Sequence, residues 1–377
     1  MALYFSEGFD NYAAAGDFAL GGWTKINDAS DLYITLDSTG SRWGGPCVKI
    51  ESRSTQASMH KAIPVAMSGT TIRFAFWIKT SLNHTAGILG GTQIPVFALE
   101  DGTGASFLDV KLCPLGSDVD AVGGGILITR TENARSGLAN YINGELPARK
   151  RIIDGEWHHV ELEMTLNTST GTAKLWIDGE EQYNLTGIDT VDAASNISTY
   201  VRVRVSSGVA TNTSQFIWLD DIIVWDDSGS EFTGALPNHI HRIETIRPSG
   251  AGAAADFTPS TGSNFQNVDE SVANDDTDYN ESSTTGHIDS FAYGNMALAA
   301  DEIFGINIKS RAKYDSGSAN FRNKIRISST YYNGTTTALG ATYAMVETIF
   351  NNNPASTGSN LTVSDINAAE FGYERVA

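Results

Sequence analysis

DGEWHHVELEMTLNTSTGTAKLWIDGEEQ, residues Asp154 to Gln182, alternates with period two on both sides of a turn. Val160, Leu162, Met164 and Leu166 share one face, while Glu161, Glu163 and Thr165 share the other. Successive side chains leave a strand on opposite sides, so this pattern predicts a strand with one apolar face. NTSTG (Asn167–Gly171) supplies turn residues, and TAKLWIDG (Thr172–Gly179) resumes the strand. Asp178-Gly179 is a tight-turn dipeptide, because both residues tolerate the positive φ of a two-residue hairpin turn. Trp157, where the strand begins, is placed to close the core edge.

The same reading extends outward. IRFAFWIKT (Ile72–Thr80) alternates and ends in turn residues. YVRVRVSS (Tyr200–Ser207) sets valines on one face and Arg202 and Arg204 on the other. FIWLDDIIVWDD (Phe216–Asp227) is an apolar strand interrupted by Asp220 and Asp221, one of which must face the interior or the sheet edge. Helical periodicity is confined to short stretches such as VSDINAAEF (Val363–Phe371), which Thr362 or Ser364 can cap. Short alternating runs bounded by Gly, Asn, Asp and Ser predict an all-β chain of two tandem β-sandwich, or jelly-roll, domains. DSGSEFTGALPN (Asp227–Asn238) is polar and turn-rich. The domains are therefore placed at 1–232 and 239–377, with a linker over 233–238.

Composition agrees. The 377 residues are 41% hydrophobic and 18% charged, with 37 glycines, which fits neither a disordered chain nor a coiled coil. Lys and Arg number 25 against 44 Asp and Glu, a net charge of −19. Such a chain lacks the basic clusters that bind nucleic acid or anionic lipid, so neither partner is expected. The longest apolar runs are strand-sized, and no membrane insertion is expected. MALYFSEGFDNY has neither the basic start nor the apolar run of a signal peptide, so synthesis and folding in a cytoplasm are expected. Two cysteines, Cys47 and Cys113, make no disulfide framework and leave a single bridge open.

Trp157, His158 and His159 before the first strand, with Trp176, Ile177, Asp178 and Gly179 closing the next, resemble the strand pair of concanavalin A-like (laminin G-like) jelly rolls. The opening YFSEGFDNYAAAGDFALGGWTKIN and the closing FIWLDDIIVWDD are similar to the first and last strands of that group, and the resemblance covers about 1–227. The group includes glycan-binding lectins, laminin modules, glycoside hydrolases and viral structural proteins. Its retaining hydrolases carry two glutamates and an aspartate in alternation on one strand, so that carboxylates share a cleft. HVELEMT offers only Glu161 and Glu163 before Thr165, and these read as a solvated outer face. No G-x-S-x-G, H-E-x-x-H, P-loop or C-x-x-C pattern occurs. The expectation is a chain that is not an enzyme.

The same resemblance implies a structural Ca²⁺ joining acids of the first and last strands, here Glu7, Asp10, Asp220 and Asp221. The other reading of these acids is that they cap turns or pair with Arg202 or Arg204. His239 and His241 read as a surface pair, with no third ligand evident, and His158 and His159 as strand-start residues. The acidic run Asn267–Glu281 fails the EF-hand spacing and reads as a solvated loop. Trp23, Trp43 and Tyr141 lie in turn-rich regions and are candidate glycan-stacking residues, with core or rim packing as the alternative.

Three segments of the remaining chain, Pro248 to Pro259, Asn267 to Tyr279 and Thr362 to Gly372, resemble a β-sandwich domain found beside tail-fibre genes of double-stranded DNA bacteriophages. The two resemblances together imply a structural protein of a tailed-phage virion, either a tail appendage or fibre or a capsid decoration. It would partner other virion proteins, act as a homo-oligomer such as a trimer, and contact host surface glycans. A glycan-binding adhesin and a polysaccharide depolymerase stand as alternatives.

Overall fold

The computed structural model describes residues 2–28, 32–52, 57–81, 94–100, 106–112, 126–129, 150, 152, 155–188, 190, 201–206, 215–229, 241–297, 303–356 and 358–376. Tyr141, His239 and Cys113 lie outside these residues. Two compact units are present, made chiefly of residues 1–243 and 244–377. His241, Arg242 and Ile243, which the sequence reading assigns to the second domain, belong to the first unit.

Among the described residues the first unit contains fourteen strands: β1 (Ala2–Glu7), β2 (Thr24–Ile26), β3 (Ile34–Asp37), β4 (Cys47–Ser52), β5 (Ser58–Ala62), β6 (Thr71–Thr80), β7 (Ile94–Glu100), β8 (Ser106–Leu112), β9 (Ile126–Thr129), β10 (His158–Thr165), β11 (Gly171–Ile177), β12 (Glu180–Ile188), β13 (Arg202–Ser206) and β14 (Gln215–Asp226). They form two antiparallel sheets. One runs β12-β11-β10-β6-β14-β4-β3, with β1 also paired to β14; the other runs β2-β5-β13-β7-β8-β9. β14 serves both β4 and β1 because its register shifts between Asp220 and Ile223, where Asp221 takes a φ of 47°. Such a bulge bends a strand and frees its extra residue from the ladder.

Alternation places the core as expected. Ile72, Phe74, Phe76 and Ile78 of β6, with Val160, Leu162 and Met164 of β10, meet Val96, Phe97 and Leu99 of β7 and Val203 and Val205 of β13. The rings of Phe74 and Phe76 lie 4.8 and 5.3 Å from that of Phe97. The hairpin turn has φ of 50° at Asp178 and 79° at Gly179. This is the conformation the Asp-Gly pair predicts.

Among the described residues the second unit is also β-rich, with one short α-helix and a 3₁₀ turn at Asn264–Asn267: β15 (Pro248–Ala255), β16 (Thr258–Pro259), β17 (Asn280–Glu281), β18 (Ile288–Tyr293), β19 (Ile306–Ala312), β20 (Asn320–Ile327), β21 (Thr330–Asn333), β22 (Thr337–Ala338), β23 (Ala344–Phe350), α1 (Val363–Ala368) and β24 (Glu370–Arg375). A sheet ordered β15-β18-β24-β20-β21 is joined by β22, and β19 pairs with β23 as a ribbon. The buried amide of Asn323 donates to the carbonyls of Ile308 and Val346, both at 3.0 Å, tying ribbon to sheet. Thr362 caps α1 in a reciprocal box with Asp365. In the acidic run, Asp275 binds Arg311 at 2.9 Å and Asp276 binds Lys313 at 2.7 Å, so these acids are paired where the sequence reading left them to solvent. Gly372 sits inside β24, where a Cβ would collide with the backbone of Asp289 and Ser290.

Candidate functional site

The outer face of the larger sheet of the first unit carries an unusual group of side chains. Across β6 and β10, His159 stands opposite Trp77, Glu161 opposite Ala75 and Glu163 opposite Arg73. On its other side Glu161 faces Trp176 of β11, and Ala75 faces Ile223 of β14. His159, Glu161, Trp77, Trp176 and Trp225 are all buried. His241 reaches the same place from the far end of the unit. Its carbonyl accepts a 2.8 Å hydrogen bond from Trp77 Nε1, and the amide of Ile243 donates to Asp221 Oδ1 at 3.0 Å. The His241 ring lies 5.4 Å from the Trp225 ring and 5.2 Å from the His159 ring, and His159 lies 4.9 Å from Trp77.

Three ionisable groups thus converge inside an aromatic wall. His241 Nδ1 is 3.2 Å from His159 Nε2 and 3.3 Å from Glu161 Oε1. Glu161 is 1% exposed, and neither of its oxygens accepts a hydrogen bond. Burial pushes its carboxyl up to about 8. Burial also pushes His159 down, to about 4, against the charge of Asp178. Both shifts have the same cause: a low-dielectric site disfavours whichever form is charged. The arrangement can pass a proton between carboxyl and imidazole, or bind a cation.

Glu161 is therefore not on a solvated face, as its alternation with Leu162 suggests. Nor is His241 a surface residue: it is buried beside His159 and Glu161. Glu163, two residues on, is held by Arg73 at 2.7 Å and Lys174 at 3.0 Å. Although burial opposes it, these partners hold its carboxyl below the usual range. At the start of the strand, His158 Nδ1 is 2.7 Å from Asp178 Oδ2, where Lys150 also binds at 3.1 Å.

The acids expected to hold Ca²⁺ gather near the bulge but have protein partners. Glu7 binds Lys61 at 2.9 Å and accepts from Tyr12 at 3.2 Å. Asp221 accepts from Trp43 Nε1 at 3.2 Å as well as from Ile243. Burial and then the Asp221 charge push Asp220 well above the carboxylate range, with Asp10 and Glu7 adding to it. Asp221 is pushed up to about 7 by burial, against its two donors. Arg204 is occupied elsewhere, by Glu100 at 3.0 Å and Asp109 at 2.8 Å. Among the stacking candidates, Trp23 is buried in the core against Phe5 and Phe9. Trp43 is 41% exposed.

No family model matches the chain, and no curated protein matches it. Solved structures do. An endo-1,3-beta-glucanase from Streptomyces sioyaensis is 10% identical, over 60% of this chain and 97% of that one, with a TM-score of 0.40. A legume lectin-like domain from Entamoeba histolytica is 7% identical over 60% and 99%, at 0.38. Lectin I-B4 from Griffonia simplicifolia is 12% identical over 59% and 98%, at 0.36. The likeness lies in the jelly-roll arrangement of strands.

The expectation that the chain is not an enzyme is corrected. Structures similar to it include glycan-processing enzymes beside lectins. Its premise fails as well, since the strand read as a solvated face holds a buried glutamate against two histidines.

Proposed function

We propose that the first unit binds glycan, with Trp43 as its stacking platform. The observation that carries this is the state of one indole. Trp23, Trp77, Trp176 and Trp225 are buried, whereas Trp43 lies open in the turn between β3 and β4. It is fixed there by its N–H bond to Asp221 and by an edge contact with Trp77 at 6.4 Å. Two guanidinium groups flank it, Arg42 at 4.9 Å and Arg242 at 4.7 Å from the ring. A pre-oriented aromatic with planar donors beside it suits a pyranose: the ring takes the C–H face, and the arginines take hydroxyl or carboxylate oxygens. That pair favours acidic sugars in a chain whose overall charge would repel them.

The test is a glycan array probed with the full chain and with Trp43→Ala, followed by reducing-end assays on every saccharide bound. Binding that is lost in the variant supports the reading. Binding that survives unchanged, or no binding at all, removes Trp43 from it. Release of reducing ends would place the chain among glycan-processing enzymes. The finer reading is that this binding serves a tail appendage or capsid decoration of a tailed phage, as an oligomer. It rests on the resemblance of residues 239–377, and mass spectrometry of purified virions tests it.

A further inference from the structure

We propose that His159, Glu161 and His241 form a binding site for one first-row divalent transition-metal ion, Zn²⁺ in the first instance, with His159 Nε2, His241 Nδ1 and a Glu161 carboxylate oxygen as ligands. Among the described residues this is the one group whose ligand atoms all lie within 4.8 Å of one another.

The spacing is the first argument. Ligands at the corners of a tetrahedron, each about 2.0–2.1 Å from zinc, stand about 3.3 Å apart. The two shorter separations here are 3.2 and 3.3 Å. The second argument is the carboxylate. Glu161 is buried, and neither oxygen accepts a hydrogen bond, although His241 Nδ1 stands 3.3 Å from Oε1. A buried carboxylate without a partner is costly, and the rule for such groups is pairing or metal coordination. Hydrogen bonding within the trio does not remove the difficulty. His241 Nδ1 carries at most one proton, and it faces both Glu161 and His159 Nε2.

Donor type selects the ion. Two imidazoles and one carboxylate suit zinc or its first-row neighbours, whereas Ca²⁺ takes six to eight oxygens. Three protein ligands leave a fourth position for water or substrate, the pattern of catalytic zinc sites. The surroundings fit as well. Trp77, Trp176 and Trp225 wall the site, and Trp77 fixes the backbone of His241 through the carbonyl, a support placed just outside the ligands. No single strand displays this set: His159 and Glu161 share one face of β10, and His241 completes it from the far end of the unit.

The experiment uses the full chain, stripped with a chelator. Co²⁺ is titrated by visible absorption, Zn²⁺ by calorimetry and by displacement of Co²⁺. One equivalent should bind, with the intense absorption of a four- or five-coordinate nitrogen–oxygen site. Loss of a group that merely supports a ligand weakens metal binding by about 10–100-fold. Glu161→Gln and His241→Ala should each exceed that. Circular dichroism shows whether each variant is folded; if neither is, the wild-type Co²⁺ spectrum decides. A weak, octahedral oxygen-type spectrum, the absence of saturable one-to-one binding, or unchanged affinity in both folded variants would overturn the site.

Discussion

Nδ1 of His241 lies 3.2 Å from Nε2 of His159, although 82 residues of chain separate them. The contact makes an outer sheet face into an interior, and Glu161 is enclosed with it. With a chelator present, an ionisable group in that position works against folding. Replacement of Glu161 by Met should leave the metal-free protein as stable as wild type or more stable by about 1–3 kcal/mol, as when other buried charged groups are exchanged for apolar ones of similar size. Chemical denaturation at neutral pH measures this. A loss of stability would mean that Glu161 has a stabilising partner.

The ring of Phe97 joins the two sheets of the first unit through Phe74 and Phe76. Phe97→Ala should cost about 3–5 kcal/mol, the cost of deleting a buried aromatic in a core that cannot collapse around the gap. Urea unfolding followed by tryptophan fluorescence reports on this unit.

Gly372 lies in β24 with the backbone of Asp289 and Ser290 where a Cβ would go. Gly372→Ala forces two paired strands apart. It should exceed the about 1–3 kcal/mol typical of an overpacked core, because backbone yields less readily than side chains. Amide hydrogen exchange should show the loosening first in β18 and β24.

Glu374 is bound by Lys324 and by Arg322 at 2.8 Å. Burial pushes its carboxyl up, but the hydrogen bonds from Lys324 and then Arg322 outweigh burial and hold it below the ordinary value. A group depressed in the folded state contributes stability above its unfolded value, and that contribution is lost as pH falls through the folded one. The second unit should therefore weaken on acidification below the usual glutamate range. Glu374→Gln should be less stable than wild type at neutral pH and converge with it in acid. Thermal melts across a pH series test this.

The thiol of Cys47 is free and fully buried. Burial first, then the charges of Asp220 and Asp37, push its titration far above the ordinary thiol range. Only the thiolate reacts readily. Iodoacetamide at mildly alkaline pH should leave Cys47 unlabelled in the native protein and modify it once the chain is unfolded, as peptide mass spectrometry would show.

Much of the fold is legible in the sequence because it is local. The alternation of Val160, Leu162 and Met164, the Asp178-Gly179 turn and the Thr362 cap each depend on neighbours a few residues away. The site is not. Alternation says that Glu161 and Leu162 face opposite ways, but not which faces meet water. That depends on His241, a residue whose sequence surroundings are those of a linker. Trp23 misleads for a related reason: its turn-rich neighbourhood resembles a surface loop, yet the ring is enclosed by Phe5 and Phe9. The one available signal for the cluster was chemical. Histidines and a glutamate lay at strand spacing, and another histidine lay at the end of the unit.

The order of strands has a consequence for the growing chain. β14 stands between β6 and the β4–β3 and β1 pieces, and β13 stands between β5 and β7. Both central strands are made late: Ala2 waits for Asp226 as its partner, and Met59 waits for Val205. Until the ribosome has delivered residues 202–226, the larger sheet exists as three fragments and the smaller as two, all with open hydrogen-bonding edges. Long-range pairing of this kind is slow, and unpaired edges invite association between nascent chains. A premature stop anywhere before β13 would thus yield an adhesive polypeptide with no partial jelly roll to rest in.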